Sequence, residues 1–284
     1  MERVTIIGTG LIGASVGLAL RAAGYTGGIT GWDRNPEEAA LALRAGALDA
    51  VSGDAVAAAQ ASDVVVLATP VLAILEWMER LAPVLGEQQL LTDVGSTKAR
   101  LCAAADKSFN RAGRAGFLPG HPMAGKELSG AAQATAGLFE GAMWLWTPVG
   151  RETERSREWR GWVARFGCRT LDLDPTAHDE LVAWASHLPQ FLATALAATL
   201  EDEFGGAAEA RGRLRAVGGR AMREMTRLGA SPYSMWRDIA HTNTAQIAAA
   251  LEALEQRLAD VRNALTQPEL RREFESANQF RKLL

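Results

Sequence analysis

Cysteine is scarce in this sequence, and neither sign of charge is in large excess. The chain has two cysteines, Cys102 and Cys168, in 284 residues, which is too few for a disulfide framework. No CxxC or HExxH spacing occurs, so we expect no metal site and interpret both cysteines as free thiols. The formal net charge of −3, without a polybasic segment, argues against a nucleic-acid-binding protein.

Targeting and membrane-spanning signals are also missing. The first three residues lead directly into the apolar run 4–7, so no signal peptide is predicted. One uncharged stretch, Leu181 to Leu200, is long enough to span a bilayer, but it contains a histidine, a proline and a glutamine. We interpret this stretch as a buried helix, with a subunit interface as one location for it. We therefore expect a cytoplasmic protein with no membrane partner.

Strand-like and helix-like segments alternate over the first 170 residues or so. Two amphipathic stretches, residues 13–23 and 36–45, are predicted helices, and the predicted strands are residues 4–7, 28–32, 64–68, 90–93, 117–120, 142–147 and 168–173. Such alternation predicts a mostly parallel sheet with helices on both faces, an α/β architecture. With 48% hydrophobic residues, the chain has enough apolar material for one large or two modest domains.

The pattern changes after Pro175. Strand-like runs disappear, and alanine, leucine, arginine and glutamate recur at helical spacing. Asp174 is a predicted helix cap, and Pro175 suits the first helical position. We therefore place a domain boundary near residue 173, which gives an α/β domain over 1–173 and an all-α domain over 174–284.

A glycine-rich motif, Gly8-Thr9-Gly10-Leu11-Ile12-Gly13, follows the first predicted strand and opens a helix. Gly8 permits a tight turn, Gly10 lets the backbone approach a pyrophosphate, and Gly13 allows close packing of helix and strand. The N–H groups around Leu11 and Ile12 then favour an anion. Residues 1–173 are thus predicted to be a doubly wound, dinucleotide-binding domain of the Rossmann type. A glycine turn without a ligand is the alternative.

Three further segments extend this predicted cofactor site. Asp33 ends the second strand, 20 residues after Gly13, and a carboxylate there binds both ribose hydroxyls and repels a 2′-phosphate. NAD is therefore favoured over NADP, although Arg34 beside it leaves NADP open. Thr69-Pro70 and the loop 93–98, which contains Ser96, follow neighbouring strands and are expected near the nicotinamide. Either loop could instead be an ordinary strand–helix turn.

A histidine with an unusual setting is the first candidate for chemistry. His121 lies between Gly120 and Pro122 at the end of a predicted strand, where we expect it to be exposed and held by a rigid backbone. A neutral imidazole accepts a proton near pH 7. An enzyme that removes hydride from a carbon bearing a hydroxyl needs such a base. A surface histidine without a role is the alternative.

The helical region offers a second set of polar residues. His178 and His187 are nine residues apart, so a straight helix would place them on opposite faces, which Pro189 perturbs. Metal ligation by these histidines is one interpretation, but no carboxylate stands at a metal-ligand spacing from them. Packing between helices is the alternative. Three arginines share one helix face and suit an anionic substrate or a partner's acidic surface, unless the face is merely solvated: Arg220, Arg223 and Arg227.

Taken together, these motifs resemble the prephenate dehydrogenase family, which includes arogenate dehydrogenases. The segments that carry the resemblance are 8–13, Asp33, 93–98, 121–127, 178–179, 186–189 and 226–239. The resemblance implies NAD-dependent oxidative decarboxylation of prephenate to 4-hydroxyphenylpyruvate, a precursor of tyrosine. It also implies that residues 174–284 bind substrate and form a homodimer.

The resemblance also implies roles for single residues. His121 matches the histidine that takes the proton of the ring hydroxyl, and Ser96 matches the serine that holds the same hydroxyl beside the cofactor. Arg227 matches an arginine that binds a substrate carboxylate, and His187 matches an active-site histidine of the second domain. Lys126 and Glu127 belong to the same run as His121 and are expected near the substrate.

Two positions depart from the family pattern. Gln190 stands where many relatives have histidine, and Glu224 stands where many have aspartate. An uncharged amide near the substrate side chain suits the keto acid prephenate better than the ammonium group of arogenate. Two other classes stay open. The first is another two-domain dehydrogenase, such as a β-hydroxyacid dehydrogenase or an imine reductase, and the second is a non-catalytic NAD sensor.

Overall fold

The computed structural model describes residues 1–126 and 128–283 and contains one sheet of eight strands. The strands are β1 (Arg3–Ile7), β2 (Gly28–Trp32), β3 (Ala50–Val51), β4 (Val64–Leu67), β5 (Leu90–Asp93), β6 (Gly116–Pro122), β7 (Met143–Trp146) and β8 (Arg169–Asp172). Every predicted strand overlaps an observed one. The sequence pattern missed β3, because its two exposed residues are too short to form an apolar run.

The strand order identifies the type of sheet. The order is β3-β2-β1-β4-β5-β6-β7-β8. The strands from β3 to β6 are parallel, whereas β7 is antiparallel to β6 and parallel to β8. The order reverses between β1 and β4, and in such sheets ligands bind at the carboxyl ends of the strands at this point. The predicted α/β doubly wound sheet is therefore confirmed.

Helices cover both faces of the sheet. They are α1 (Leu11–Ala22), α2 (Pro36–Arg44), α3 (Ala55–Gln60), α4 (Val71–Leu81), α5 (Ala99–Ser108) and α6 (Glu154–Ala164). Side chains along a strand alternate between two cores: Ile6 packs with α1, α2 and α6, while Ile7 packs with α3, α4 and α5. All of β4 is buried, which explains its unbroken apolar sequence.

The described residues after β8 form helices and no strand. The helices are α7 (Pro175–Val182), α8 (Leu188–Phe204), α9 (Ala208–Val217), α10 (Arg220–Thr226), α11 (Tyr233–Thr242), α12 (Thr244–Asn263) and α13 (Leu270–Arg281). The Asp174 side chain accepts hydrogen bonds from the N–H groups of Thr176 and Ala177, and Pro175 occupies the first turn. Both the predicted start of this helical region and its all-α character are confirmed.

A short π-helix, Ala183–His187, joins α7 to α8. Pro189 has no N–H to donate into this turn. Because a π-helix turns by a smaller angle per residue than an α-helix, the segment changes the relative direction of His178 and His187. Both histidines are buried, with 0% and 1% exposure.

The long apolar helix does not behave as predicted within one chain. The segment Pro175–Phe204 is long and apolar enough to cross a membrane. Only 28% of its most apolar 18 residues is buried, however. Leu181 and Trp184 are each 53% exposed. The prediction of a buried helix is therefore wrong for the single chain, because the other described elements leave side chains such as Leu181 and Trp184 uncovered.

The turn between β1 and α1 depends on its glycines. Gly8 has a φ of +94°, a conformation that residues with a Cβ rarely adopt. A Cβ on Gly13 would lie 1.9 Å from the carbonyl oxygen of Gly8, whereas a Cβ on Gly10 would meet nothing within 4 Å. Gly13 therefore sets how closely the helix packs on the turn, and Gly10 faces open space.

Replacing these two glycines should separate packing from ligand approach. We expect Gly13→Ala to lower the free energy of unfolding by about 3 kcal/mol, because the added methyl group overlaps backbone that cannot move aside. Gly10→Ala is the matched control and should lose no more than about 1 kcal/mol, the typical cost of alanine at an N-cap, in urea unfolding followed by circular dichroism. Equal stability of the two variants would contradict this packing argument.

Candidate active site

The glycine-rich turn and Asp33 form one fixed unit at the carboxyl end of β1 and β2. The Asp33 carboxylate accepts hydrogen bonds from the N–H of Thr9 at 2.7 Å and from the N–H of Asn35 at 2.9 Å. Gly10, the N-cap of α1, offers no side chain to the first helical N–H groups. The turn therefore presents backbone donors and open space to an anion, with a carboxylate beside them and the exposed Arg34 next to it.

Two neighbouring loops add hydroxyl groups to this edge. Leu67 of β4 pairs with Asp93 of β5, so the loops that follow these strands lie side by side. The Thr69 hydroxyl, next to the exposed Pro70, is buried and has no hydrogen-bond partner among the described residues. Ser96 is half-buried in the second loop. A buried hydroxyl without a partner is costly, so the Thr69 position fits a bound polar ligand.

A buried ion pair fixes the loop that carries Ser96. The Lys98 ammonium group contacts the Asp93 carboxylate, and both side chains are fully buried. Asp93 also accepts hydrogen bonds from the N–H groups of Gly95 at 2.8 Å and Gly120 at 3.4 Å. Burial raises the pKa of Asp93, and the charge of Lys98 opposes that rise. The carboxylate thus ties the Ser96 loop to the strand that bears His121.

His121 lies on β6 and is buried, with 7% exposure. The prediction that it would be exposed is wrong, because β6 is an interior strand and His178 of α7 packs against it. The His121 Nδ1 atom is 2.9 Å from the His178 Nε2 atom. Burial, together with the nearby His178, Lys98 and His187, holds the pKa of His121 well below 6.5. The imidazole is therefore neutral at pH 7.

The second domain meets the sheet at Asp179. Its carboxylate accepts hydrogen bonds from the N–H of Lys98 at 2.7 Å and the N–H of Ala99 at 3.0 Å, at the start of α5. The same carboxylate lies 2.8 Å from Nδ1 of His178. A negative charge is stabilised at a helix N-terminus, so α7 caps α5 and holds His178 against His121.

His187 completes the buried cluster from the end of the π-helix. Asn243 donates to the carbonyl oxygen of Asp179 at 2.8 Å, and its amide nitrogen is 3.3 Å from Nδ1 of His187. Because the amide donates, Nδ1 of His187 accepts and Nε2 carries the hydrogen. That Nε2 atom is buried without a partner among the described residues. Burial lowers the pKa of His187 to about 4, so it is a neutral donor.

Gln190 and Arg227 lie together in the helical region. The Gln190 amide group donates to the carbonyl oxygen of Leu228 at 2.7 Å and accepts from the Ser231 hydroxyl at 3.1 Å. These bonds hold the 3₁₀ turn Arg227–Ala230 against α8. Gln190 is buried, whereas the Arg227 side chain is exposed. That the Gln190 amide contacts a substrate remains a prediction.

The other predicted charged residues lie at the surface or outside the described part of the chain. The exposed Lys126 donates to the carbonyl oxygen of Gln133 at 2.6 Å. Glu127 lies outside the described residues. Arg220 forms an ion pair with Glu224 at 2.6 Å, so the expected positive face is partly neutralised. No three histidine, cysteine, aspartate or glutamate side chains of the described residues are arranged to hold a metal ion.

The sequence alone gave no role to several residues of this site, among them Asn243, Thr242 and Trp236. Asn243 connects Asp179 with His187, and the Thr242 hydroxyl lies 2.7 Å from the Thr97 hydroxyl in the Ser96 loop. The Trp236 ring meets the His187 ring edge-on at 5.8 Å, and its N–H is buried without a partner in the described structure. Of these three, only Trp236 gave a signal in the sequence. It belongs to the Met-Trp-Arg-Asp-Ile run at 235–239, within a segment that carries the family resemblance.

The fold and this cluster define a two-domain protein with a nucleotide-binding sheet and a helical domain that together enclose buried histidines. The sequence model of the prephenate dehydrogenase nucleotide-binding domain matches residues 16–166, and that of the prephenate dehydrogenase dimerization domain matches residues 174–279. The chain belongs to the prephenate dehydrogenase family.

Two curated relatives are similar over most of this chain. Prephenate dehydrogenase from Bacillus subtilis is 30% identical, and the match covers 99% of this chain and 75% of that protein. Prephenate dehydrogenase from Lactococcus lactis is 31% identical over 86% of this chain. The match spans 65% of the length of the Lactococcus protein.

Solved structures of the same family superpose on the whole chain. Prephenate dehydrogenase from Aquifex aeolicus, in complex with hydroxyphenyl propionate and NAD+, has a TM-score of 0.88 and 29% identity, and the match covers 99% of this chain and 98% of that one. Arogenate dehydrogenase from Synechocystis has a TM-score of 0.78 and 26% identity, and the match covers 99% of each chain.

Breaking the Asp93–Lys98 pair on one side should destabilise the domain strongly. We expect Lys98→Met to lower the free energy of unfolding by about 3–5 kcal/mol, because it leaves a carboxylate buried without its counter-charge. The double variant Lys98→Met/Asp93→Asn should recover much of this loss in urea unfolding.

The exposed pair of Arg213 and Glu209, 2.5 Å apart with both side chains 79% exposed, supplies the control. Arg213→Met should change stability by less than about 1 kcal/mol. A Lys98→Met variant as stable as the Arg213→Met variant would show that the buried pair is dispensable.

Proposed function

We propose that this chain is a cytoplasmic, NAD-dependent prephenate dehydrogenase that converts prephenate to 4-hydroxyphenylpyruvate in tyrosine biosynthesis. The observation that carries the proposal is the position of His121. Its imidazole is buried and neutral. The neighbouring Gly120 donates its N–H to Asp93, at the start of the loop that carries Ser96, and His178 of the second domain lies against the His121 ring. Membership of the family supports the same activity.

The dinucleotide would occupy the edge formed by β1, β2, β4 and β5. The backbone of Gly8, Gly10, Leu11, Ile12 and Gly13 would hold the pyrophosphate, and Asp33 would bind the ribose hydroxyls with Arg34 beside it. Thr69, Pro70 and Ser96 would border the nicotinamide. The open space at Gly10 supports this fit, and so does the Thr69 hydroxyl, which has no partner in the described part of the chain. The Asp33 carboxylate supports NAD over NADP.

His121 would act as the base in this reaction, with Ser96 holding the same hydroxyl group. NAD, when bound, supplies the hydride acceptor for the ring carbon that bears the hydroxyl. His121 takes the hydroxyl proton as that carbon becomes a carbonyl. Loss of the ring carboxylate as CO₂ then makes the ring aromatic, and His121 returns the proton to the phenolate oxygen. The low pKa of His121 keeps it unprotonated before the reaction.

Substrate oxygens would be held mainly by the second domain. His187 offers to a carboxylate or hydroxyl oxygen a buried Nε2–H that no described residue accepts from, and Arg227 would bind a carboxylate. Gln190 supports Arg227 by fixing the turn on which it lies, and Lys126 and Glu127 would border the substrate from the first domain. The uncharged Gln190 favours prephenate.

Arogenate dehydrogenase, which would give tyrosine directly, is the second candidate. The Synechocystis arogenate dehydrogenase shares this fold and 26% of its residues. Because the two substrates differ only in a keto or an amino group on the side chain, the nucleotide edge and His121 serve either reaction. A β-hydroxyacid dehydrogenase or a non-catalytic NAD sensor is disfavoured, because the family models match both domains.

We also propose that residues 1–173 bind the dinucleotide and that residues 174–284 bind substrate and form a homodimer. The match of a dimerization-domain model to residues 174–279 supports this assignment. So does the exposure of large apolar side chains along α7, the π-helix and α8, where Leu181, Trp184 and Phe204 are 38–53% exposed. A second copy of the chain would cover the face that one chain leaves open.

Steady-state turnover with prephenate and arogenate, each with NAD and NADP, tests the proposal. We expect the largest kcat/KM for prephenate with NAD, because the Gln190 amide carries no charge for an ammonium group and Asp33 repels a 2′-phosphate. NADH formation and CO₂ release should be equal in amount. Preference for arogenate would select the second candidate, and no turnover with either acid would reject both.

Replacing the proposed base should stop the chemistry without affecting cofactor binding. We expect His121→Asn to lower kcat by at least about 100-fold, the lower range of general-base catalysis, while the dissociation constant of NAD stays the same. His241→Asn, the same change at an exposed histidine, is the control and should retain activity. Full turnover by the His121 variant would remove this residue from the mechanism.

A further inference from the structure

Three buried side chains from two domains form a continuous series of hydrogen bonds. The Asp179 carboxylate is 2.8 Å from Nδ1 of His178, and Nε2 of His178 is 2.9 Å from Nδ1 of His121. Their exposed fractions are 3%, 0% and 7%. We call the series Asp179–His178–His121 the hydrogen-bond relay.

The direction of the first bond in the relay is fixed by its surroundings. Asp179 already accepts from two backbone N–H groups, those of Lys98 and Ala99, and an ionised carboxylate can only accept. The hydrogen between Asp179 and His178 must therefore lie on Nδ1 of His178.

The second bond follows from the first. Burial lowers the pKa of His178, so its ring is neutral at pH 7 and carries a single hydrogen, the one on Nδ1. Nε2 of His178 is then a lone-pair acceptor. The hydrogen between the two rings must lie on Nδ1 of His121, which leaves Nε2 of His121 without a hydrogen.

We propose that His178 and Asp179 are positioning residues that hold His121 in the tautomer whose Nε2 is the free base. This inference rests on the proposed function only for the use of that base; the tautomer itself is a property of the protein without ligands. Without the relay, His121 would be free to carry its hydrogen on Nε2, and it could not accept the substrate's proton.

The tautomer can be measured directly by ¹⁵N NMR of protein labelled at histidine. The chain has four histidines, so each ring is assigned by the signal that its own variant removes. We expect Nδ1 protonated and Nε2 unprotonated for both His121 and His178 at pH 7. A wild-type spectrum with the hydrogen of His121 on Nε2 would overturn the proposal, and this measurement requires no substrate.

Two variants of His178 separate positioning from packing. His178→Phe keeps a ring but removes the acceptor, so we expect a shift of His121 towards the Nε2–H form and a fall in kcat of about 100-fold, within the range of general-base catalysis. KM and NAD affinity should change little. His178→Gln can still accept through its carbonyl oxygen, and it should restore the tautomer and most of kcat.

The outcomes distinguish the relay from the proposed function. A fall in kcat with an unchanged His121 tautomer in His178→Phe would show a purely structural role and overturn the relay. The predicted tautomers in a protein that turns over neither cyclohexadienyl acid would keep the relay and reject the function. If His178→Phe does not fold, the wild-type spectrum and His178→Gln still decide the question.

Discussion

The Asp179 carboxylate at the start of α5 is the interaction on which the site depends. It accepts hydrogen bonds from two backbone N–H groups of the first domain and orients His178 of the second. One charge therefore both docks the domains and holds His178 against His121. Removing it would leave these donors without a partner, at about 1–3 kcal/mol for each buried group. Domain docking and the orientation of the proposed base are therefore coupled through a single side chain.

The first domain has a matching element in the Asp93–Lys98 pair. A buried ion pair adds little net stability compared with apolar side chains of the same volume, so its value here lies in geometry. Asp93 fixes the Ser96 loop and the backbone at Gly120, and Lys98 also donates its N–H to Asp179. Lys98 contacts both carboxylates, Asp93 through its ammonium group and Asp179 through its backbone N–H. Together these contacts set the position of His121 relative to the strand ends where the nucleotide would bind.

Local patterns in the sequence predicted much of the fold and the glycine-rich turn. β2 and β5 begin and end where predicted, because each is a short apolar run bounded by turn residues, and the 8–13 motif fixes its own turn. The burial of His121 was not predictable, because it depends on His178, 57 residues away. The Thr97–Thr242 contact spans 145 residues. The Gln190 amide forms its hydrogen bonds with a turn that begins at Arg227. Such contacts arise only when elements distant in the sequence pack together.

The most direct measurement is a crystal structure of the chain with NAD and hydroxyphenyl propionate. We expect Nε2 of His121 within about 2.6–3.2 Å of the ligand's ring hydroxyl, beside the nicotinamide. We also expect the Arg227 guanidinium on the ligand's carboxylate in the same cavity. A complex in which His121 and Arg227 face separate cavities would contradict the proposed site.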